Sequence, residues 1–184
     1  MDAWVGVFGG VLVAVVGALL AYFNTQRTNR RHARLDRVNR QLEELYGPML
    51  AQAEASARGF TTFRARLRDG KPYMFTEQDP LTVRERDIWE VWMRQVFMPA
   101  NRTVYDLIVT KTHLIDDDVM PEPLIHFLAH VKGYEVTMAA WDIGDYTHLT
   151  STVDHPGREY DEYLRESFAR LKKRQQKLLG GSRP

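Results

Sequence analysis

Hydrophobic positions are continuous at the amino end of the chain and periodic in the rest of it. From Ala3 to Phe23 the residues are almost all apolar, and no residue between Asp2 and Arg27 carries a charge. A helix of about 20 apolar residues spans the roughly 30 Å hydrocarbon core of a bilayer, and a helix satisfies its own backbone hydrogen bonds there. The run therefore predicts a single transmembrane anchor over 1–24, with the lipid bilayer as its partner.

The flanks of this run predict a retained anchor rather than a cleaved signal peptide. Its start is acidic at Asp2 and its apolar part is too long for a signal peptide, which has a positive start and a shorter core. Basic residues cluster after the run, and the positive-inside rule keeps that side cytoplasmic. We expect the inner (plasma) membrane, with the amino end outside and the remaining domain cytoplasmic. The basic residues predicted to lie at the membrane surface are Arg27, Arg30, Arg31, Arg34, Arg37 and Arg40.

Small residues recur every four positions along the predicted anchor. Gly6, Gly10, Ala14 and Ala18 form one ridge on a helix. Such ridges let two membrane helices approach closely, so the pattern predicts a homo-oligomer. The alternative is that the ridge is incidental, because Gly and Ala are common in membrane helices.

A basic helical stalk is predicted over 25–46. Leu35, Val38, Leu42 and Leu45 follow the 3–4–3 spacing of a coiled-coil or bundle seam, which could add to self-association. The sequence Tyr46-Gly47-Pro48 is expected to end or kink this helix, because proline lacks the N–H that a helix interior requires. Alternatively, Pro48 begins a new helix.

The region 47–179 predicts a helical bundle domain, followed by a disordered tail over 180–184. Thr82 and Glu85 have the spacing of a capping box at the start of an amphipathic helix. Pro99 is expected to open the next helix, and no stretch alternates with period two. The segments 71–81 and 145–156 are polar and irregular and predict loops. The fold class is all-α: a single transmembrane helix that continues into a stalk, then a cytoplasmic bundle of about five helices.

Composition excludes some chemistry and adds a charge pattern. There is no cysteine, so neither a disulfide nor a cysteine-based site is possible. The net charge is only +1, but the region 71–163 holds 17 acids against 8 bases. An anionic leaflet attracts the basic stalk and repels the acidic body. The pattern predicts a domain held away from the membrane.

His126 and His130 are the sharpest candidate site. Two histidines four apart on a helix can share one metal ion, with His113, Glu122, Asp142 or Asp145 to complete the set. The His-Glu-x-x-His signature of a hydrolase is missing. A helical wheel also places His130 with Tyr134 at the centre of the buried face. The two interpretations are a hydrogen-bonded core histidine, which we favour, and a metal site.

Three further features have alternative interpretations. Trp89, Trp92 and Trp141 are expected to anchor the core, although they could line a ligand site. Asn101 is expected to face inward and brace a break at Pro99. A basic cluster near the carboxyl end fits a solvated or membrane-facing helix end. It could also bind nucleic acid, which we consider the weaker interpretation.

The sequence contains no complete catalytic set, and we predict no catalytic residue and no cofactor. The resulting hypothesis is a membrane-anchored helical interaction or assembly module in a bacterial membrane complex. Such a module would associate with itself and could also bind a protein partner. The alternatives are a metal-dependent hydrolase around His126 and His130, or a small-ligand sensor with an aromatic-lined core.

Overall fold

The fold of the chain is all-helical, as predicted. A computed structural model describes the backbone of residues 2–180 and the side chains of residues 16–180. Within these ranges there is no β-strand, only an isolated bridge between Thr76 and Asp79. The helices are α1 (Asp2–Gln41), α2 (Gly47–Leu67), α3 (Val83–Trp92), α4 (Met98–Thr110), α5 (Glu122–Asp142) and α6 (Gly157–Gly180), with a short 3₁₀ turn at Thr112–Leu114.

Two π-helical turns replace the helix ends that prolines were expected to cause. The turn Leu42–Tyr46 leads directly from α1 into α2, and the turn Met93–Phe97 leads directly from α3 into α4. Helices α2 and α4 each begin with a proline in the first turn, as the alternative for Pro48 and the expectation for Pro99 predicted. The expected end or kink at 46–48 is corrected, because the backbone stays helical through the π turn. The reason is that each proline lies in the first turn after the π-helical segment, where its missing N–H costs least.

Hydrogen bonding in the two turns explains how the prolines are accommodated. The Gly47 N–H donates to the Leu42 carbonyl, and the Met98 N–H donates to the Met93 carbonyl, both across five residues. A π turn widens the helix by one residue before the proline ring. A Cβ at Gly47 would overlap the Leu42 carbonyl oxygen, so this position requires glycine.

The Cα positions form two compact units. One comprises the chain up to Asn39 together with the segment from Lys173 onward, and the other comprises 40–172. In the first unit, the Arg31 guanidinium donates hydrogen bonds to the Leu178 carbonyl. The Gln175 amide donates to Asn39 Oδ1 at 2.8 Å. These polar contacts hold the first unit's part of α1 to the end of α6.

The second unit has the densest core. Helix α2 packs against α4, and α4 packs against α5. Apolar side chains from all of its long helices are buried, as the bundle pattern predicts. Leu42 and Leu45 of the predicted seam are among them, so they face the interior of this chain. The side chains with under 2% exposure include Leu45, Met49, Met98, Ile108, Leu124 and Leu164.

The predicted anchor falls largely outside the described side chains. Gly6, Gly10 and Ala14 of the small-residue ridge lie outside them, and Ala18 is exposed. Within the described residues, no helix is both long enough and apolar enough to cross a membrane. At the other end, α6 includes Gly180, and 181–184 lie outside the described residues.

Candidate functional site

A cavity of about 580 Å³ lies inside the second unit. Helices α2, α4, α5 and α6 contribute to its wall, together with Trp89 of α3 and two loops, 68–82 and 143–156. Cavities that hold small molecules in proteins have volumes of about 300–1,000 Å³ and are lined mainly by apolar and aromatic groups. The volume of this cavity is in that range.

Seven aromatic side chains contribute to the cavity wall. Phe127 and Tyr160 stack with their ring centroids 4.7 Å apart, and Phe60 packs edge-on against both Trp89 and Phe97. Such ring pairs are rigid and add stability beyond their buried area. The aromatic residues on the wall are Phe60, Phe75, Trp89, Phe97, Phe127, Tyr134 and Tyr160.

The three tryptophans singled out in the sequence occupy different places. Trp89 lines the cavity. Trp92 stacks on Phe63 at 4.6 Å, away from the cavity wall. Trp141 is buried in the core, and its indole N–H donates to a loop carbonyl. Of the three tryptophans, Trp89 therefore lines the cavity.

The loop 143–156, here named the docked loop, is fixed to the helices by side chains that bind its backbone. Three of these side chains come from α5, at positions that lie along one side of the helix, and the fourth comes from α3. Each hydrogen bond uses a backbone carbonyl that would otherwise need water. The pairs are Trp141 with the His148 carbonyl (2.8 Å), Trp89 with that of Leu149 (2.9 Å), Thr137 with that of Thr150 (3.1 Å) and His130 with that of Val153 (2.7 Å).

Gly133 allows the docked loop to approach α5 closely. A Cβ at this position would overlap the Ser151 hydroxyl oxygen. That hydroxyl is buried, where it donates to the His130 carbonyl at 3.0 Å and accepts from the Val153 N–H at 3.1 Å. The missing side chain at Gly133 therefore sets the position of the loop that forms one wall of the cavity.

His130 is the predicted core histidine, and its hydrogen bond fixes its tautomer. Its side chain is buried and lines the cavity. Since a carbonyl can only accept, the bond to Val153 places the proton on Nδ1 and leaves Nε2 as an acceptor. Burial lowers the pKa of His130 below its ordinary value, more than the Val153 carbonyl raises it. The ring is therefore neutral at neutral pH.

His155, on the docked loop, has the opposite tautomer. Its Nδ1 accepts from the Gly157 N–H at 2.9 Å, so the proton of the neutral ring is on Nε2. The ring is 5.0 Å from the His130 ring and perpendicular to it. Burial, and then the charge that His130 would carry when protonated, lower the pKa of His155 below its ordinary value. One side of His155 is exposed to solvent, so the lowering is smaller than for a fully enclosed ring.

Tyr160 places an unpartnered hydroxyl in the buried part of the site. The residue is 1% exposed and lines the cavity. Among the described residues its hydroxyl has no hydrogen-bond partner. Burial, and then the nearby charge of Asp161, raise the pKa of Tyr160, so it stays protonated. Buried polar groups are almost always paired, so this hydroxyl is an exception, and protein atoms enclose it.

The charged groups on the wall are acidic. Asp154 and Asp161 line the cavity, and no Lys or Arg among the described residues does so. Burial raises the pKa of Asp161, opposed by the charge of Arg165 and reinforced by that of Glu54. Those two residues form an exposed ion pair at 2.8 Å. Asn101 adds a half-buried amide to the wall, and since the backbone does not break at Pro99, there is no break for it to brace.

The predicted metal ligands are not gathered around the cavity. His126 is half-buried and does not contribute to the wall. The groups proposed to complete a metal site are engaged elsewhere: His113 with Arg40 (3.3 Å) and Asp142 with Arg94 (2.7 Å). Within the part of the chain that the structure describes, no three His, Asp or Glu side chains are arranged to hold a metal ion. The metal site at His126 and His130 stays a prediction.

The sequence predicted a loop over 145–156 but not that this loop docks on the helices. It also did not predict the acidic residues of the cavity wall. A signal was present on α5, where His130, Gly133, Thr137 and Trp141 interrupt an apolar helix at intervals of three and four. This stripe is where the loop docks. The chain matches no protein-family model, no curated protein and no solved structure.

Proposed function

We propose that the second unit binds a small, largely apolar molecule in the cavity and that the chain acts as a ligand-responsive module. The observation that carries this proposal is the wall itself, where seven aromatic side chains line a cavity of about 580 Å³. Wall residues such as Thr61 and His155 are exposed, so the cavity opens to solvent and a ligand can enter it. A bound apolar molecule would displace water from the aromatic surface, which is favourable.

The two histidines support a binding role over a catalytic one. Both are neutral at neutral pH, and one presents an acceptor while the other presents a donor. A few oriented polar groups in an apolar cavity are what fixes the orientation of a ligand. The nucleophile, base and oxyanion donors of a hydrolase are not assembled on this wall, in the described part of the chain.

We also propose that 1–24 anchors the chain in a membrane, as the apolar run predicts. The described end of this run supports it, since large apolar side chains are exposed along α1, among them Leu20 and Phe23. The basic residues that follow, including Arg27 and Arg30, are exposed as well. Lipid would cover the former, and anionic headgroups would attract the latter.

Localisation tests the anchor directly. The intact chain should sediment with membranes, and protease added to intact cells should leave the carboxyl-terminal part uncut. Replacing Leu19 and Leu20 with Asp should release the protein, because acids are expensive inside a bilayer. Release of the unchanged chain into the aqueous fraction would contradict the proposal.

Self-association through the anchor is a second part of this proposal. Gly6, Gly10, Ala14 and Ala18 would form the contact, and an assembly of this kind would carry a ligand signal to a protein partner. Gly10→Leu should weaken association in a membrane two-hybrid assay, whereas Val11→Leu, off the ridge, should not. Equal association of both variants would show that the ridge is incidental.

Ligand binding is tested on the full-length chain in nanodiscs of neutral glycolipid. Phenylbutanol serves as the probe, and Trp89 reports binding through its fluorescence because it lines the cavity. Any native-state ligand raises the melting temperature by mass action. We expect a dose-dependent rise in the intact chain.

A matched pair of variants assigns that rise to the cavity. Ala53 lies on the wall, and Ala51 is exposed on the same helix outside it. Ala53→Phe should fill the cavity and abolish the shift, while Ala51→Phe should retain it. A shift that persists in Ala53→Phe, or no shift in any protein, would overturn the proposed function.

A further inference from the structure

The cavity wall is asymmetric in charge. It contains two carboxylates and, within the described residues, no basic side chain. An anionic ligand would enter a site that offers it no partner, and burying an unpaired charge is costly. A neutral ligand would leave the half-buried carboxylate of Asp161 without a counter-charge inside the cavity.

The aromatic rings add to this preference. The face of an aromatic ring carries partial negative charge and attracts a cation within about 6 Å of its centre. The wall offers several such rings and, on α6, the carboxylate of Asp161. A wall of this kind gives a positive group both a carboxylate partner and aromatic surface.

The polar atoms nearby can accept hydrogen bonds from an ammonium group. Nε2 of His130, a residue of the wall, is an acceptor because its proton is on Nδ1. Asp161 provides the negative charge. The neutral state of both histidines removes the one source of positive charge on the wall that would repel such a ligand.

We propose that the ligand of this cavity is a hydrophobic cation, an amine or quaternary ammonium attached to an aromatic or aliphatic body. The ammonium group lies against the Asp161 carboxylate, and the apolar body packs between the aromatic rings of the wall. This inference rests on the proposed ligand-binding function and adds the chemical class of the ligand.

Three probes that share one apolar group but differ in head-group charge separate the contribution of the charge to binding from that of the apolar body. Phenylbutylamine, phenylbutanol and phenylbutyrate carry a positive, a neutral and a negative head at neutral pH. Titrated into the full-length chain in neutral glycolipid nanodiscs, the amine should bind about tenfold more tightly than the alcohol, as one desolvated cation–π and carboxylate contact implies. The carboxylate should bind most weakly.

Isosteric variants locate the charge. Asp161→Asn should reduce the affinity for the amine to that for the alcohol and leave the alcohol unchanged. Glu166→Gln makes the same charge change on the same helix at an exposed position outside the wall, and it should alter neither affinity. Melting curves of each variant without probe show whether it is folded.

The outcomes distinguish the two proposals. If the alcohol or the carboxylate binds at least as tightly as the amine, the cation inference is wrong and the ligand-binding function stands. If Ala53→Phe abolishes the binding of none of the probes, both the cation inference and the ligand-binding function are wrong.

An ammonium group can come from a free amine or from a lipid headgroup. Repeating the amine titration in phosphatidylcholine nanodiscs separates these sources, since a bound headgroup would compete with the probe. Unchanged affinity indicates a free amine, and weakened affinity indicates the headgroup.

Discussion

The two loops that line the cavity are held in place by different forces. The loop 68–82, here named the charged loop, is fixed by Arg68, whose guanidinium pairs with Asp79 at 2.5 Å and with Glu85 at 2.7 Å. The docked loop, 143–156, is fixed by uncharged side chains that bind its backbone carbonyls. The first has one buried cation, with exposed support from Lys71 on Asp79 and from Arg64 on the Pro72 carbonyl, whereas the second has several uncharged contacts.

This difference indicates which single substitutions should destabilise each loop. The Arg68 side chain is 3% exposed, so removing it leaves two acids facing an apolar site. Losing one of four carbonyl contacts leaves the docked loop three others. Glu85 also completes the capping box of α3 with Thr82, so the charged loop and the start of α3 share one carboxylate.

The largest effect is expected at the single ion-pairing residue. Arg68→Met should lower the free energy of unfolding by about 3 kcal/mol, because it leaves Asp79 and Glu85 without their buried cation. Urea unfolding measures the change. Arg66→Met, at an exposed position on α2, should cost less than about 0.5 kcal/mol. Similar losses in both variants would show that the ion pairs do not hold the charged loop.

The next effect is expected at the close approach beneath the docked loop. Gly133→Ala should destabilise the protein by about 2 kcal/mol, because its Cβ displaces the buried Ser151 hydroxyl. Gly59 provides the control, since a Cβ there meets nothing within 4 Å. Gly59→Ala should be neutral or stabilising by up to about 1 kcal/mol, as alanine favours helix. A stabilised Gly133→Ala would contradict the observed packing.

A smaller effect is expected for one carbonyl contact of the docked loop. Thr137→Val removes a hydroxyl that lies 3.1 Å from the Thr150 carbonyl and should cost about 1 kcal/mol. Thr103→Val removes an exposed hydroxyl that bonds only to its own helix, at the Pro99 carbonyl. Its cost should be close to zero. Urea unfolding of the two variants in parallel checks the difference.

Acidification should destabilise the two loops in different pH ranges. This is the smallest of the four expected effects. The folded pKa of His130 is below the unfolded value of 6.5, so its contribution to stability is complete above that value and is lost as pH falls through the folded pKa. Hydrogen bonds from Lys71 to Asp79 and from Thr82 to Glu85, with Arg68 adding to both, lower the pKa of these carboxyls. Their contribution is complete above about 4.5 and is lost only below it.

Amide-exchange protection, corrected for intrinsic rates, distinguishes these ranges. As pH falls below 6.5, the docked loop should lose protection at pH values where the charged loop still keeps it. His130→Asn should flatten this dependence. Simultaneous loss in both loops would indicate that His130 is not the titrating group.

The sequence predicted local features well. The all-helical fold followed from apolar periodicity, and the capping box of Thr82 and Glu85 is confirmed because both partners lie within one turn. Pro99 opens α4 as expected, and Pro48 lies in the first turn of α2, as the alternative predicted. The expected end of the preceding helix at 46–48 was wrong, because the backbone stays helical there. Whether a proline breaks a helix depends on the hydrogen-bond register before it, and a π turn leaves no mark in a hydropathy pattern.

The cavity could be predicted only in part. Its aromatic lining was among the alternatives, since Trp89 was considered as a ligand-lining residue. The docked loop was read as an irregular segment because its acceptors are backbone carbonyls, which have no sequence signature. Its partners are also distant in the chain, 13 residues apart for Thr137 and Thr150 and 23 for His130 and Val153.

Amide hydrogen exchange on the full-length chain, with and without phenylbutylamine, tests most directly whether the cavity bounded by the docked loop is a ligand site. Bound probe should raise protection in 150–155 and at the start of α6, the segments that form its wall, and Ala53→Phe should remove this increase. Protection that is unchanged there, or that rises only in the apolar segment 16–23, would contradict the account.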